Sequence, residues 1–252
     1  MRTSNPALSE DTFKKAITTK GAYNANAPYA PALAEGETMT VNGTVNKSFM
    51  LLALLILSAA FSFTMPLPFF IYGGAIGGFI VAMITIFKKE WSPYTAPVYA
   101  LLEGLCLGAI SFLFEAEIAG IVFQAILLTV GVFASMLFVY KSGWIEVTQN
   151  FRMGLVAATG GIALIYLATL LLSFFGIQIP YIHESGLIGI GFSLFVVVIA
   201  ALNLVLDFDF IEKGATYNLP RYMEWYAAFG LMVTLVWLYL EILRLLAKLN
   251  KR

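Results

Sequence analysis

Read for hydrophobicity alone, the chain is a polar opening followed by seven long apolar runs with brief polar breaks. The runs are Ser48–Met65, Leu67–Phe87, Tyr94–Phe114, Glu117–Tyr140, Met153–Phe175, Gly186–Phe208 and Met223–Leu246. A bilayer core is about 30 Å thick, so a spanning helix needs about twenty apolar residues, and each run is near that length. Only helices or a closed barrel satisfy the backbone in lipid. These runs are too long and too unalternating for barrel strands. The pattern predicts seven transmembrane helices and an all-α integral membrane fold. Connections are short, so sequential helices pack as antiparallel pairs. No internal repeat is visible.

The opening segment is different material. Residues 1–47 are rich in Asn, Ala, Pro, Gly and Thr, which predicts a disordered tail ahead of a seven-helix domain over 48–252. One short helix is expected at Ser9–Thr18, capped by Ser9. The first apolar run begins too late for a cleavable signal peptide. "NGT" and "NKS" match the glycosylation sequon and read as chance matches beside positive charge.

Composition strengthens the membrane reading. Apolar residues make up 60% of the chain and charged residues only 12%, against about 25% charged in an ordinary soluble domain. Net charge is zero, so nothing points to nucleic acid. The single cysteine, Cys106, excludes an intramolecular disulfide and reads as a small core residue. One cysteine and one histidine, His183, build no ordinary zinc site. No phosphate loop, serine triad or dinucleotide fingerprint is present.

Lys and Arg are segregated. Arg2, Lys14, Lys15, Lys20, Lys47, Lys88, Lys89, Lys141, Arg152, Lys213 and Arg221 all fall on one side of the predicted topology, and the loops "TMPLP", "EAE" and "GIQIPYIHES" carry none. The positive-inside rule places that side, and the N-terminus, in the cytoplasm. Trp91, Tyr94, Trp144 and Trp225 flank the runs there as interface anchors. One conflict stands. Seven spans put the C-terminus outside, yet Arg244, Lys248, Lys251 and Arg252 crowd it; exit of the last helix with its charges is expected. Gly73 with Gly77, Gly74 with Gly78, and Gly104 with Gly108 give small-xxx-small spacing, which serves close helix packing in the monomer or a dimer face.

Carboxyls inside apolar runs are the candidate chemistry, because a charge in hydrocarbon costs several kcal/mol. Glu103 sits near mid-depth in the third run with no partner on its own helix. It must face another helix or water, or be protonated. Asp207 and Asp209 lie about 200° apart around a helix. Asp209 has Lys213 four residues on, a local ion pair. Asp207 lies deeper, on the face of Asn203, and is either an interior group or a solvated helix end. Glu241 has Arg244 three residues on and reads as an interfacial pair or a functional group. Glu224, beside Arg221, reads as interfacial or as a network carboxylate.

The segments "WSPYTAPVYALLEGLCLGAIS", "GWIEVTQNFR", "LDFDFIEKG" and "WLYLEILRLL" together resemble the transmembrane Bax inhibitor motif superfamily, closest to its bacterial YccA-type branch. The likeness runs from about Ser48 to the end. It implies a last helix held centrally between two three-helix layers, and a pH-sensitive calcium leak. It implies that Asp207 on the sixth helix and Glu241 on the seventh share a proton and gate the pore, with calcium as a transient ligand. Glu241 stands where the family more often has Asp, and the segment joining the pair is longer than usual. Glu103 matches the acid of the family's "EG" pair; Asp209 and Glu224 are further pore or network carboxylates, and Arg221 or Arg152 a latch. Proton sharing clamps two helices; losing the proton gives repulsion and an oxygen-rich opening that suits calcium.

The expected function is therefore a proton-gated leak, mainly for calcium, in the bacterial inner membrane. No resident cofactor and no enzymatic activity are expected, and the protein is a monomer or weak oligomer. The alternative is a membrane partner that restrains a membrane protease or stress-response complex, for which the tail suits. An intramembrane aspartyl protease needs two aspartates meeting at the midplane and is set aside.

Overall fold

The computed structural model describes residues 37–175 and 186–251. Seven helices among them are long and apolar enough to cross a membrane: α1 Val41–Thr64, α2 Pro68–Phe87, α3 Ser92–Glu117, α4 Ile121–Lys141, α5 Gln149–Phe174, α6 Leu187–Thr216 and α7 Tyr222–Asn250. The all-α integral membrane fold holds. The expected helix at Ser9–Thr18, most of the tail, and the loop carrying His183 lie outside the described residues.

Helix limits differ from the apolar runs, and local chemistry explains why. α1 begins at Val41 rather than Ser48, so "VNGTVNK" is helix and not tail. Thr40 caps it, its hydroxyl oxygen accepting from Gly43 N–H at 2.9 Å, which satisfies an orphan amide of the first turn. α4 begins after Gly120 at φ 82°. Glu115 caps it, accepting from the Gly120 and Val122 amides at 2.6 and 3.0 Å. α6 continues eight residues past Phe208 to Thr216 and stops at Asn218, which takes the left-handed conformation at φ 50°. Asn tolerates that region better than most side chains.

The chain divides into two compact units. The described part of the first comprises residues 37–112 and Asp207–Met232: α1, α2, most of α3, the end of α6 and the start of α7. Its seams are the expected glycine pairs. A side-chain carbon at Gly104 would overlap the Ser58 hydroxyl and the Leu55 carbonyl, and one at Gly108 the Ala59 carbonyl and the Ser62 hydroxyl. α1 and α3 are thus backbone against backbone, and the Ser62 hydroxyl donates to the Leu105 carbonyl at 2.7 Å. Gly74 meets α3 in the same way, 2.6 Å from the Leu102 carbonyl. Small residues permit this approach, which supplies van der Waals contact where lipid removes the hydrophobic drive. A carbon at Gly73, by contrast, would have the Phe69 ring of its own helix as its nearest neighbour, at 3.2 Å.

The second unit comprises Leu113–Leu206 and Val233–Arg252. Its core joins Leu155 and Ile162 of α5 to Val196, Ile199 and Leu206 of α6, with Trp237 of α7 against them. The Asn203 side chain donates to the Thr159 hydroxyl at 3.0 Å and to the Ile199 carbonyl at 2.8 Å, tying α6 to α5. The cations near the C-terminus also have partners here. Lys248 donates to the Gly189 carbonyl and the Ser193 hydroxyl at 3.1 and 2.8 Å, in the first turns of α6. Lys251 pairs with Glu117 at 2.8 Å. α7 thus runs antiparallel to α6 over this stretch, and its 29 residues span about 43 Å at 1.5 Å per residue, more than a bilayer core.

Candidate functional site

Four carboxylates are buried in α6 and α7: Asp207 and Glu241 at 1% exposure each, Glu224 at 2% and Asp209 at 8%. Burial on this scale excludes the solvated helix end for Asp207; Glu224 is the third residue of α7, at the end of its helix but covered by protein. Asp207 lies nine residues before the end of α6, about 14 Å of helix. Glu241 lies nineteen residues after the start of α7, about 28 Å of helix. The two belong to different units, Asp207 to the first and Glu241 to the second.

In the second unit, Glu241 Oε1 accepts from the Tyr166 hydroxyl at 2.9 Å and from Arg244 at 2.8 Å. The guanidinium lies 5.4 Å from the centre of the Tyr166 ring. The expected Glu241–Arg244 pair is present, but sequence reasoning missed Tyr166, an aromatic residue inside an apolar run with no local sign of its partner. A hydrogen bond to a charged group contributes about 1.5–3 kcal/mol. Tyr166→Phe is therefore expected to destabilise the protein by about that amount, measured by denaturant unfolding in detergent. An unchanged midpoint counts against the bond.

In the first unit, Asp209 pairs with Lys213 at 2.6 Å, as the i,i+4 spacing predicts. Glu103 is half-buried and faces α2: a side-chain carbon at Gly78 would lie 2.9 Å from its Oε2. The mid-depth acid thus packs against the helix whose glycine leaves it room.

Glu224 has the densest set of contacts. Its Oε1 accepts from both the Thr40 amide and the Thr40 hydroxyl at 2.9 Å, and its Oε2 pairs with Lys47. Lys47 lies 5.7 Å from the centre of the Trp225 ring. In an ordinary capping box the third helical residue is an acid that reaches back to the cap amide. In α1 that third residue is Gly43, and Glu224 supplies the carboxylate from 184 residues away. Gly43 is what makes room, since a methyl there would overlap the Glu224 carboxylate. The adjacent strap completes the joint. Thr38 bridges Pro220 in antiparallel fashion, Met39 N–H donates to the Leu219 carbonyl at 2.6 Å, and Arg221 N–H donates to the Glu37 carbonyl at 2.8 Å. Lys47 and Thr40 were missed in the sequence because their partner is so distant.

Of the two latch candidates, Arg152 is buried in the first turn of α5. Arg221 is exposed at the entry to α7. Among the described residues no three His, Cys, Asp or Glu side chains converge on one metal position. Calcium prefers six to eight oxygen ligands, and among the described residues no carboxylate-rich cage of that kind is built.

A family model described as Bax inhibitor 1 like matches residues 5–251. No curated protein and no solved structure matches the chain.

Proposed function

The chain belongs to the Bax inhibitor 1 like family, and from that premise we propose that it is a pH-gated cation leak, mainly for calcium, in the bacterial inner membrane with its N-terminus cytoplasmic. The observation that carries this reading is the burial of Asp207 and Glu241, each 1% exposed, in helices whose most apolar 18-residue stretches have mean hydropathy 2.5 and 1.8. Ionisable groups at such depth are costly and mark ion or proton paths by default. Asp207 and Glu241 are the gating carboxyls of this reading. Proton loss at Asp207 puts charge into its low-dielectric surroundings, and a wetter, more open state relieves it. Carboxylate oxygens then line the path as hard ligands for calcium.

The test is calcium flux into liposomes holding the purified protein, across about pH 5.5–8, which lies above the range of an ordinary solvated carboxyl. Wild-type flux is expected to rise with pH. Asp207→Asn removes the titrating group with almost no change of shape and is expected to flatten that profile. Flux no greater than that of empty liposomes at every pH rejects the leak. The alternative is then a regulatory partner of a membrane protease or stress-response complex. The strap that joins residues 37–39 to the α6–α7 connection favours it, because whatever engages the tail pulls on that connection. Deleting residues 1–40 then has a larger effect than Asp207→Asn.

A further inference from the structure

A cavity of about 430 Å³ opens where α1 and α7 begin, in the first unit. Asn46, Lys47 and Met50 of α1 line it, with Arg221, Tyr222 and Trp225 at the start of α7. The Ser92 hydroxyl donates to the Tyr222 carbonyl at 2.9 Å, which fixes the start of α3 to the same joint. We propose that this cavity is a binding site for an anionic phospholipid, with the headgroup phosphate between Lys47 and Arg221 and an acyl chain along α1.

Charge gives the first reason. Arg221 and Lys47 line the cavity and no carboxylate does; Lys47 is already paired with Glu224, so it offers the headgroup its remaining N–H donors and Arg221 offers the charge. Glu224, 2% exposed, is turned in behind Lys47 and holds its ammonium in place. Basic pockets between transmembrane helices at the positively charged face recognise anionic headgroups. Position gives the second. Tyr222 and Trp225 stand in the first turn of a spanning helix, the level at which amphipathic rings meet headgroups. Their ring N–H and hydroxyl are donors suited to phosphate or glycerol oxygens.

The apolar edge decides between a lipid and a soluble anion. Met50 is 54% exposed, and Leu57, seven residues further along the same face of α1, is 68% exposed. A rim of cations that passes into an exposed apolar stripe at spanning depth fits a ligand with a charged head and a hydrocarbon tail. A free phosphate would leave that stripe unused. Neither Asp207 nor Glu241 lines it, so lipid retention can be read without measuring ion flux.

Native mass spectrometry of the full chain in detergent tests this, with phosphatidylglycerol and phosphatidylcholine of identical acyl chains offered together. Wild type is expected to retain phosphatidylglycerol in preference. A cation near the membrane surface contributes about 1 kcal/mol, so Arg221→Gln is expected to lower that preference about fivefold. Asn46→Asp, at an exposed position that leaves folding intact, puts a carboxylate on the rim and is expected to lower it by at least as much. Lys141→Gln, at the end of α4, is expected to change nothing. Equal retention of the two lipids overturns the proposal. So does a loss from Lys141→Gln as large as from Arg221→Gln, which shows a diffuse basic surface. Full displacement of phosphatidylglycerol by millimolar inorganic phosphate also overturns it, in favour of a soluble-anion site.

Discussion

Replacing Gly104 and Gly108 together by alanine is expected to prevent α1 and α3 from packing, with loss of monodisperse protein in mild detergent. Each methyl enters space held by backbone carbonyls, those of Leu55 and Ala59. A flexible side chain could swing aside; a helix backbone has to move. Overpacking costs about 1–3 kcal/mol per site. Two sites on one seam take a large share of a stability of about 5–15 kcal/mol. Gly160→Ala is the control. Nothing lies within 4 Å of a side-chain carbon there, and alanine is favoured over glycine in a helix by about 1 kcal/mol. Size-exclusion profiles and apparent Tm for the three variants check the prediction. A double variant as stable as wild type shows that the seam is not close-packed.

Glu224→Gln is the second large effect. It leaves Lys47, whose side chain is 14% exposed, without the carboxylate that neutralises it. Removing one partner of a buried ion pair costs about 3–5 kcal/mol, because the other charge stays buried. The amide still offers an acceptor to Thr40, so the loss reports the charge more than the cap. Lys47→Met in the same chain is expected to recover much of the stability, since a neutral pair strands nothing. Gly43→Ala is expected to mimic the damage without touching either charge, by pushing the carboxylate aside. Unfolding midpoints in detergent for the single and double variants form a cycle. A coupling below about 0.5 kcal/mol marks the pair as independent groups and sinks the account.

The seven spans are legible in the sequence because lipid demands length and hydropathy together, and both are local. What the sequence hides is anything set by burial. The run before Asp207 ends at Phe208 on hydropathy, but the helix continues to Thr216. Asp209 and Lys213 neutralise each other one turn apart, and protein covers the carboxylates. The start of α1 is hidden in the same way. "VNGTVNK" is polar and weakly helical on its own, and it becomes a first turn because Thr40 and a distant Glu224 satisfy its amides. Pairs at i,i+3 and i,i+4, such as Glu241 with Arg244, can be read directly. Tyr166 with Glu241 and Lys47 with Glu224 cannot, because nothing in the local pattern links their positions. The glycine pairs were legible as packing, but only geometry separates Gly74 and Gly78, which face α3, from Gly73, which meets its own helix.

The cations at the end of α7 bear on how the protein is made. Arg244, Lys248 and Lys251 are held by Glu241, by Gly189 with Ser193, and by Glu117. Glu241 lies in α7 itself, but Gly189 with Ser193 and Glu117 come from two other stretches of chain, the start of α6 and the end of α3. Lys248 and Lys251 therefore gain these partners only when α7 packs beside those stretches. Biogenesis of the final helix is thus coupled to assembly. The start of α6 and the end of α3 must already be in place for the two ammonium groups to exchange water for a carbonyl, a hydroxyl and a carboxylate.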